Sequence, residues 1–170
     1  VSADSSNGGG RVVYTAADNV SDTSFGSKSF LEAVSSASGL KLDTFNAPNS
    51  QLDINLTNNS GSDVTVAGIH FDAKLSFGTE GSQINVSHFS SASDLLDTNP
   101  SGSVFNSRSL SSTNIAGDST AWVNYDISAG SITDLVLEDG ESAAFRISVD
   151  KINEVNSGVL LDNIGTVSYT

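Results

Sequence analysis

"VTVAGIHFDAKLSF", residues 64–77, is the stretch on which the fold turns. Val64 and Val66 set one phase, and Ile69, Phe71, Ala73, Leu75 and Phe77 continue at every second position after the small pair Ala67-Gly68. A helix would scatter these five residues round its circumference, whereas a strand lines them along one face. Ala67-Gly68 offers the extra residue and the bare Cα that a β-bulge needs. The stretch therefore reads as one long strand with an inward apolar face, and His70 points to the other, solvated side.

Working outward, the same two-residue period recurs. "NNSGSD" (58–63) is a turn, preceded by "QLDINLTN" with Leu52, Ile54 and Leu56 in phase, and earlier by Leu40 and Leu42. Ile84 and Val86 alternate in "SQINVSHF". Val123, Tyr125 and Ile127 share a face in "AWVNYDI", with Trp122 on the opposite one. "SITDLVLEDGESAAFRISVD" reads as a strand, a solvated "EDGE" hairpin turn and a second strand carrying Ala143, Phe145, Ile147 and Val149 inward. Ser142, Ala144, Arg146 and Ser148 alternate with them. In the closing "SGVLLDNIGTVSYT", Val159 and Leu161 share a face that Ile164 joins only if a bulge intervenes at Asp162-Asn163. The one helix expected is short, over 29–37, where Ser29 and Glu32 have capping-box spacing. Residues 90–120 read as mostly irregular.

Together these readings predict an all-β protein, an antiparallel jelly-roll β-sandwich with at most one short helix. Residues 1–16 form a Gly-rich leader and possible donor strand, and 17–170 a single sandwich domain. The composition agrees. Of 170 residues only 16% are charged, so the polar weight lies in Ser, Thr, Asn, Asp and Gly, which favour turns and strand surfaces over helices.

Net charge is −13, which repels nucleic acid and anionic membrane surfaces, and no apolar run approaches the length of a membrane-spanning helix. Cys is absent, excluding disulfides and thiolate metal sites. The opening "VSADSSNGGG" reads as the start of a mature secreted chain, at the cell surface or beyond it. Two histidines, His70 and His88, and no HExxH, GxSxG or phosphate loop leave the enzyme classes without a signature. The carboxylates of "DLLD" and "LEDGE" read as solvated turns, not as a glycosidase pair. No catalytic residue or organic cofactor is expected.

The many carboxylates suit either solubility or calcium, which takes six to eight hard oxygens, mostly from loops. The candidate ligands are Asp18 and Asp22 in "ADNVSD", Asp94, Asp97 and Asn99 in "DLLDTN", and Asp162. Trp122 packs in the core, stacks on a sugar or meets another subunit. Asn19, Asn55, Asn58 and Asn85 each open an N-x-[ST] triplet.

"LTNNSGSDVTVAGIHFDAKL", "WVNYDIS", "LVLEDGESAAFRISVD" and "VLLDNIGTV" together resemble bacterial exported proteins of the PEP-CTERM-sorted kind, over residues 52–167. The resemblance implies a secreted sandwich of the carbohydrate-binding-module type, with Asp162 serving a structural calcium. The opening "VSADSSNGGGRVVYTA" is similar to TasA- and camelysin-like fibre subunits of biofilm matrices, which implies that Arg11, Val12, Val13 and Tyr14 are donated to a neighbouring copy. The expected function is a non-enzymatic extracellular structural protein that self-assembles as a filament or matrix subunit with calcium support. The alternative is a carbohydrate-binding module or lectin-like domain, with polysaccharide as partner.

Overall fold

The computed structural model describes residues 2–4, 11–15, 29–31, 39–43, 49–59, 61–89, 93–96, 98, 101–102, 107–117, 121–153 and 155–169. Of 2–4, 11–15, 29–31, 39–41, 43, 49–50, 163 and 166–169 it describes the backbone alone. The described elements are all strands: β1 (Ser2–Asp4), β2 (Arg11–Thr15), β3 (Ser29–Leu31), β4 (Gly39–Asp43), β5 (Asn49–Thr57), β6 (Val64–Phe77), β7 (Ser82–His88), β8 (Arg108–Ile115), β9 (Val123–Ser128), β10 (Val136–Leu137), β11 (Ser142–Lys151) and β12 (Gly158–Tyr169). They pair antiparallel into two sheets. A five-stranded sheet has the order β1-β5-β11-β7-β8. A seven-stranded sheet runs β10-β6-β12-β4-β2, with β9 also on β6 and β3 also on β12. The jelly-roll-type antiparallel sandwich read from the sequence is the observed fold.

The core lies between the sheets and holds the residues whose periodicity announced it. Leu52, Ile54, Ile84, Val86, Phe145, Ile147 and Val149 enter from the five-stranded sheet, and Leu42, Val66, Ile69, Phe71, Ala73, Val159 and Leu161 from the other. Phe71 is fully buried and stacks on Tyr125 of β9 with ring centroids 5.2 Å apart. The same apolar walls push the Tyr125 hydroxyl pKa above its ordinary value by desolvation.

Both expected bulges are present. Val167 and Ser168 of β12 oppose Gly68 and Val66, so Ala67 is the extra residue on β6. Gly68 is required there, because a Cβ would collide with the Ile127 carbonyl of β9. On β12, Asp162 faces Asp72 while Gly165 faces His70, three positions against two. The extra residue shifts the phase, and Ile164 drops into the core beside Val159 and Leu161.

Four expectations are corrected. Ser29–Leu31, read as the start of a helix, form β3 and pair with β12 at Ile164 and Gly165. The capping-box spacing is a weak local signal, and an unfilled ladder position on β12 outweighs it. The stretch read as irregular contains β8, "RSLSSTNI", paired with β7 along its length. Its Ser and Thr residues hide the alternation, because an edge strand needs few apolar contacts beyond Leu110 and Ile115. The "EDGE" turn is not a hairpin: β10 belongs to the seven-stranded sheet and β11 to the five-stranded one, so residues 138–141 cross between sheets. Buried Asn58 secures that crossing, its amide donating to the Leu137 and Ser62 carbonyls at 2.9 and 2.8 Å. Finally, His70 faces away from the core as expected but is buried, not solvated.

Candidate functional site

On β11 the inward residues alternate with Ser142, Ala144, Arg146, Ser148 and Asp150, which the pleat turns to the outer face of the five-stranded sheet. Register then assembles polar rows across three strands. Asp53 of β5, Arg146 and Ser87 of β7 form one row, and Gln51, Ser148 and Asn85 form the next. Asp150 stands opposite Gln83, and Ser112 of the edge strand β8 opposite Asn85.

Arg146 is the centre of this face. Its Nε and Nη2 donate to the two carboxylate oxygens of Asp53 at 2.5 and 2.8 Å. Its guanidinium carbon lies 4.5 Å from the ring centroid of Phe89. Phe89 is held just past the end of β7 by its N–H, which donates to the Ala144 carbonyl at 2.9 Å. Two constraints therefore fix the guanidinium plane, a bidentate fork and an aromatic ring. The side chains are 22% and 27% exposed, so the pair is partly shielded from solvent, and its two-pronged geometry sets it above a typical surface ion pair. What the pair supplies is order. Nearby, Asn85 Nδ2 donates to Asp150 Oδ2 at 2.7 Å. Partial burial pushes the Asp150 carboxyl up from its usual value, and the Asn85 hydrogen bond works against that rise. Gln51 is buried on the same face, and its Nε2 finds no acceptor among the described residues.

The outer face of the seven-stranded sheet is ionic. His70 Nδ1 lies 2.7 Å from Asp126 Oδ1, and its Nε2 lies 3.7 Å from Asp72 Oδ1. Asp72 stands between Asn124 of β9 and Asp162 of β12 in register, and both of these aspartates are buried. Trp122, just before β9, is half-buried with Lys74 Nζ 5.1 Å from its ring centroid. Its phase, opposite to Val123 and Tyr125, is the one the sequence indicated. One ring face is thus engaged by a cation.

Of the six expected calcium ligands, Asp18, Asp22, Asp97 and Asn99 lie outside the described residues. Asp94 and Asp162 are not brought together. The exposed Asp94 clasps the start of β11, its carboxylate accepting the Ser142 N–H at 2.7 Å and its own N–H donating to the Ser142 carbonyl at 2.7 Å. Asp162 is buried against β6 in the other sheet. Among the described residues no group of three or more His, Asp and Glu side chains is arranged to hold a metal ion. Asn58 uses its amide inside the fold and Asn85 uses its own on Asp150, whereas Asn55 is exposed. Arg11, Val12, Val13 and Tyr14, expected to be offered to a neighbour, pair with Asp43, Leu42, Lys41 and Leu40 of the same chain.

The sequence marked Arg146 as outward-facing and went no further. Asp53, Phe89, Asn85 and Asp150 went unnoticed as a group. The usable signal was the pairing of "QLDINL" with "AAFRIS", which puts opposite charges at facing positions; it emerges only once register is known.

No family model matches the chain, and no curated protein does. Among solved structures, the fold is similar to a family 28 carbohydrate-binding module specific for non-crystalline cellulose, at 16% identity and a TM-score of 0.42 over 80% of this chain and 78% of that one. It is similar to the family 11 carbohydrate-binding module of Clostridium thermocellum, solved with a β-1,3-1,4-mixed-linked tetrasaccharide, at 11% identity and a TM-score of 0.45 over 94% and 84%. It is also similar to the K3 cleaved adhesin domain of Lys-gingipain from Porphyromonas gingivalis w83, at 10% identity and a TM-score of 0.46 over 98% and 97%. Among the described residues, no helix is long and apolar enough to cross a membrane.

Proposed function

We propose that this chain is a non-catalytic, extracellular glycan-binding protein that takes a polysaccharide on the outer face of its five-stranded sheet. The observation that carries the reading is the Arg146 guanidinium, gripped by the Asp53 carboxylate through two hydrogen bonds and lying over the Phe89 ring amid amides and hydroxyls. A sugar presents adjacent hydroxyls, each both donor and acceptor, around a ring whose C–H faces are apolar. Planar groups of fixed orientation match the hydroxyl pairs, and an apolar aromatic surface matches the C–H face. Side chains already immobilised lose little further rotamer entropy when the ligand arrives.

The test is affinity electrophoresis through gels containing soluble polysaccharides, beginning with mixed-linkage β-glucan, xylan and β-galactan. Wild type is expected to be retarded by at least one of them. Arg146→Ala is expected to lose that retardation while keeping its circular dichroism spectrum, and Trp122→Ala is expected to keep it. Retention lost on Trp122→Ala and kept on Arg146→Ala would move the site to the other sheet and overturn the reading.

A further inference from the structure

The polar rows beside Arg146 permit one step more, which rests on the glycan-binding reading just given. Asn85 of β7 and Asp150 of β11 are diagonal neighbours, Asn85 standing opposite Ser148 and Asp150 opposite Gln83. Their chain neighbours Ile84, Val86 and Val149 are buried in the core, so the pleat turns both side chains to the outer face. There Asn85 Nδ2 donates to Asp150 Oδ2 at 2.7 Å, and this one bond settles how both groups are presented. A carboxylate only accepts, so the NH2 end of the amide has to face it and the amide oxygen has to face elsewhere. Asn85 Oδ1 and Asp150 Oδ1 are left as two acceptors with no donor among the described residues, and neither is sealed from solvent. Asp150 is already partly desolvated, so a hydroxyl that reaches it takes the place of water the carboxylate has in part lost.

We infer that the Asn85–Asp150 pair is a subsite for neighbouring free hydroxyls of a sugar ring, so that this face selects unsubstituted polysaccharide and rejects O-acetylated chains. Both waiting atoms are acceptors, and the ligand has to bring the protons. A free hydroxyl brings one. An acetyl ester has lost that hydrogen, sets oxygen against oxygen and adds bulk, so the acceptors stay unpaired. Hydrogen bonds to an ionised acceptor are the stronger kind, and the preference therefore rests mainly on Asp150. Asn85 contributes its own oxygen and fixes the rotation of the carboxylate.

The experiment takes whichever of mixed-linkage β-glucan, xylan and β-galactan retards the wild type in affinity electrophoresis. That polymer is compared before and after partial O-acetylation, at neutral pH, with wild type, Asp150→Asn and Asp150→Ser. Wild type is expected to bind the unmodified polymer at least about tenfold more tightly than the acetylated one. Asp150→Asn keeps an oxygen for Asn85 and turns an NH2 group outward, a donor where an acceptor stood. It is expected to bind the unmodified polymer about tenfold more weakly and to lose most of the preference, since its NH2 donates to an acetyl carbonyl. Asp150→Ser, too short to meet the ligand, is expected to lose affinity as well. Thermal melts check that both variants are folded, and a change in preference is a readout that a merely loosened fold does not give. Wild type that binds both forms equally overturns the hydroxyl requirement and leaves the Arg146 site standing. Folded Asp150 variants with wild-type affinity and preference overturn the role of the pair, again without touching Arg146. Wild type that binds none of the three unmodified polymers overturns the glycan reading itself.

Discussion

Asp150 shows how one residue links the face to the stability of the molecule. Burial raises its folded-state pKa above the ordinary carboxylate value, against the pull of Asn85. The folded protein therefore holds the proton more tightly than the unfolded chain does, so the sign is the reverse of a salt-bridged aspartate. Its favourable share is fully present below the unfolded pKa of about 4 and is lost as pH rises through the raised folded value. Asn at this position keeps an oxygen to accept the Asn85 N–H. Asp150→Asn is thus expected to melt with wild type at pH about 3 and above it at pH about 7. Parallel melting curves at the two pH values check this; a variant less stable at neutral pH would show that the carboxylate is net favourable there. Arg146 makes the complementary case. Its pair with Asp53 is half-buried and bidentate, so Arg146→Ala is expected to lower the melting temperature by a few degrees and to abolish binding in a protein that is still folded.

At the scale of the element, β12 depends on a single extra residue. Were the strand regular, Ile164 would lie on the face opposite Val159 and Leu161. With the irregularity between Asp162 and Gly165 it is fully buried in the core. Ile164→Ala is therefore expected to cost about 2–5 kcal/mol in chemical denaturation, the range for emptying a packed aliphatic site. A loss under about 0.5 kcal/mol, typical of a surface position, would place Ile164 outside the core and remove the bulge. The phase conflict is legible in "VLLDNIG" as sequence, as is the one in "VAGIH". Both arise because apolar periodicity records which way each side chain points, and a skipped beat records an inserted residue. The short strand β3 and the polar edge strand β8 left no such trace. Their places are set by open ladder positions on β12 and β7, and a ladder of backbone hydrogen bonds is nearly blind to side-chain type.

At the scale of the whole molecule, the N-terminal segment decides how a sheet ends. β2 pairs along Gly39–Asp43 and closes the edge that β4 would otherwise expose, and β1 does the same for β5. An open edge of unpaired N–H and C=O groups invites pairing with another chain. A chain lacking residues 1–15 is accordingly expected to associate where the full chain elutes as a monomer in size-exclusion chromatography. A truncated chain that stays monomeric, or a full chain that assembles on its own, would count against closure in cis.

What the sequence determined by itself was class, layers and sign: two-residue periodicity points to a sandwich, the absence of Cys removes disulfides, and a net charge of −13 weighs against nucleic acid and anionic membrane surfaces. Only the tertiary structure decided which polar residues meet. Asp53, Arg146 and Phe89 come from three separate strands or their ends, and a sequence separation of 93 between Asp53 and Arg146 leaves no local signal of their contact. Periodicity states which face a residue occupies. Register, set by turns, bulges and the packing of the whole core, states what stands beside it there, and the function proposed for this protein rests on that second kind of information.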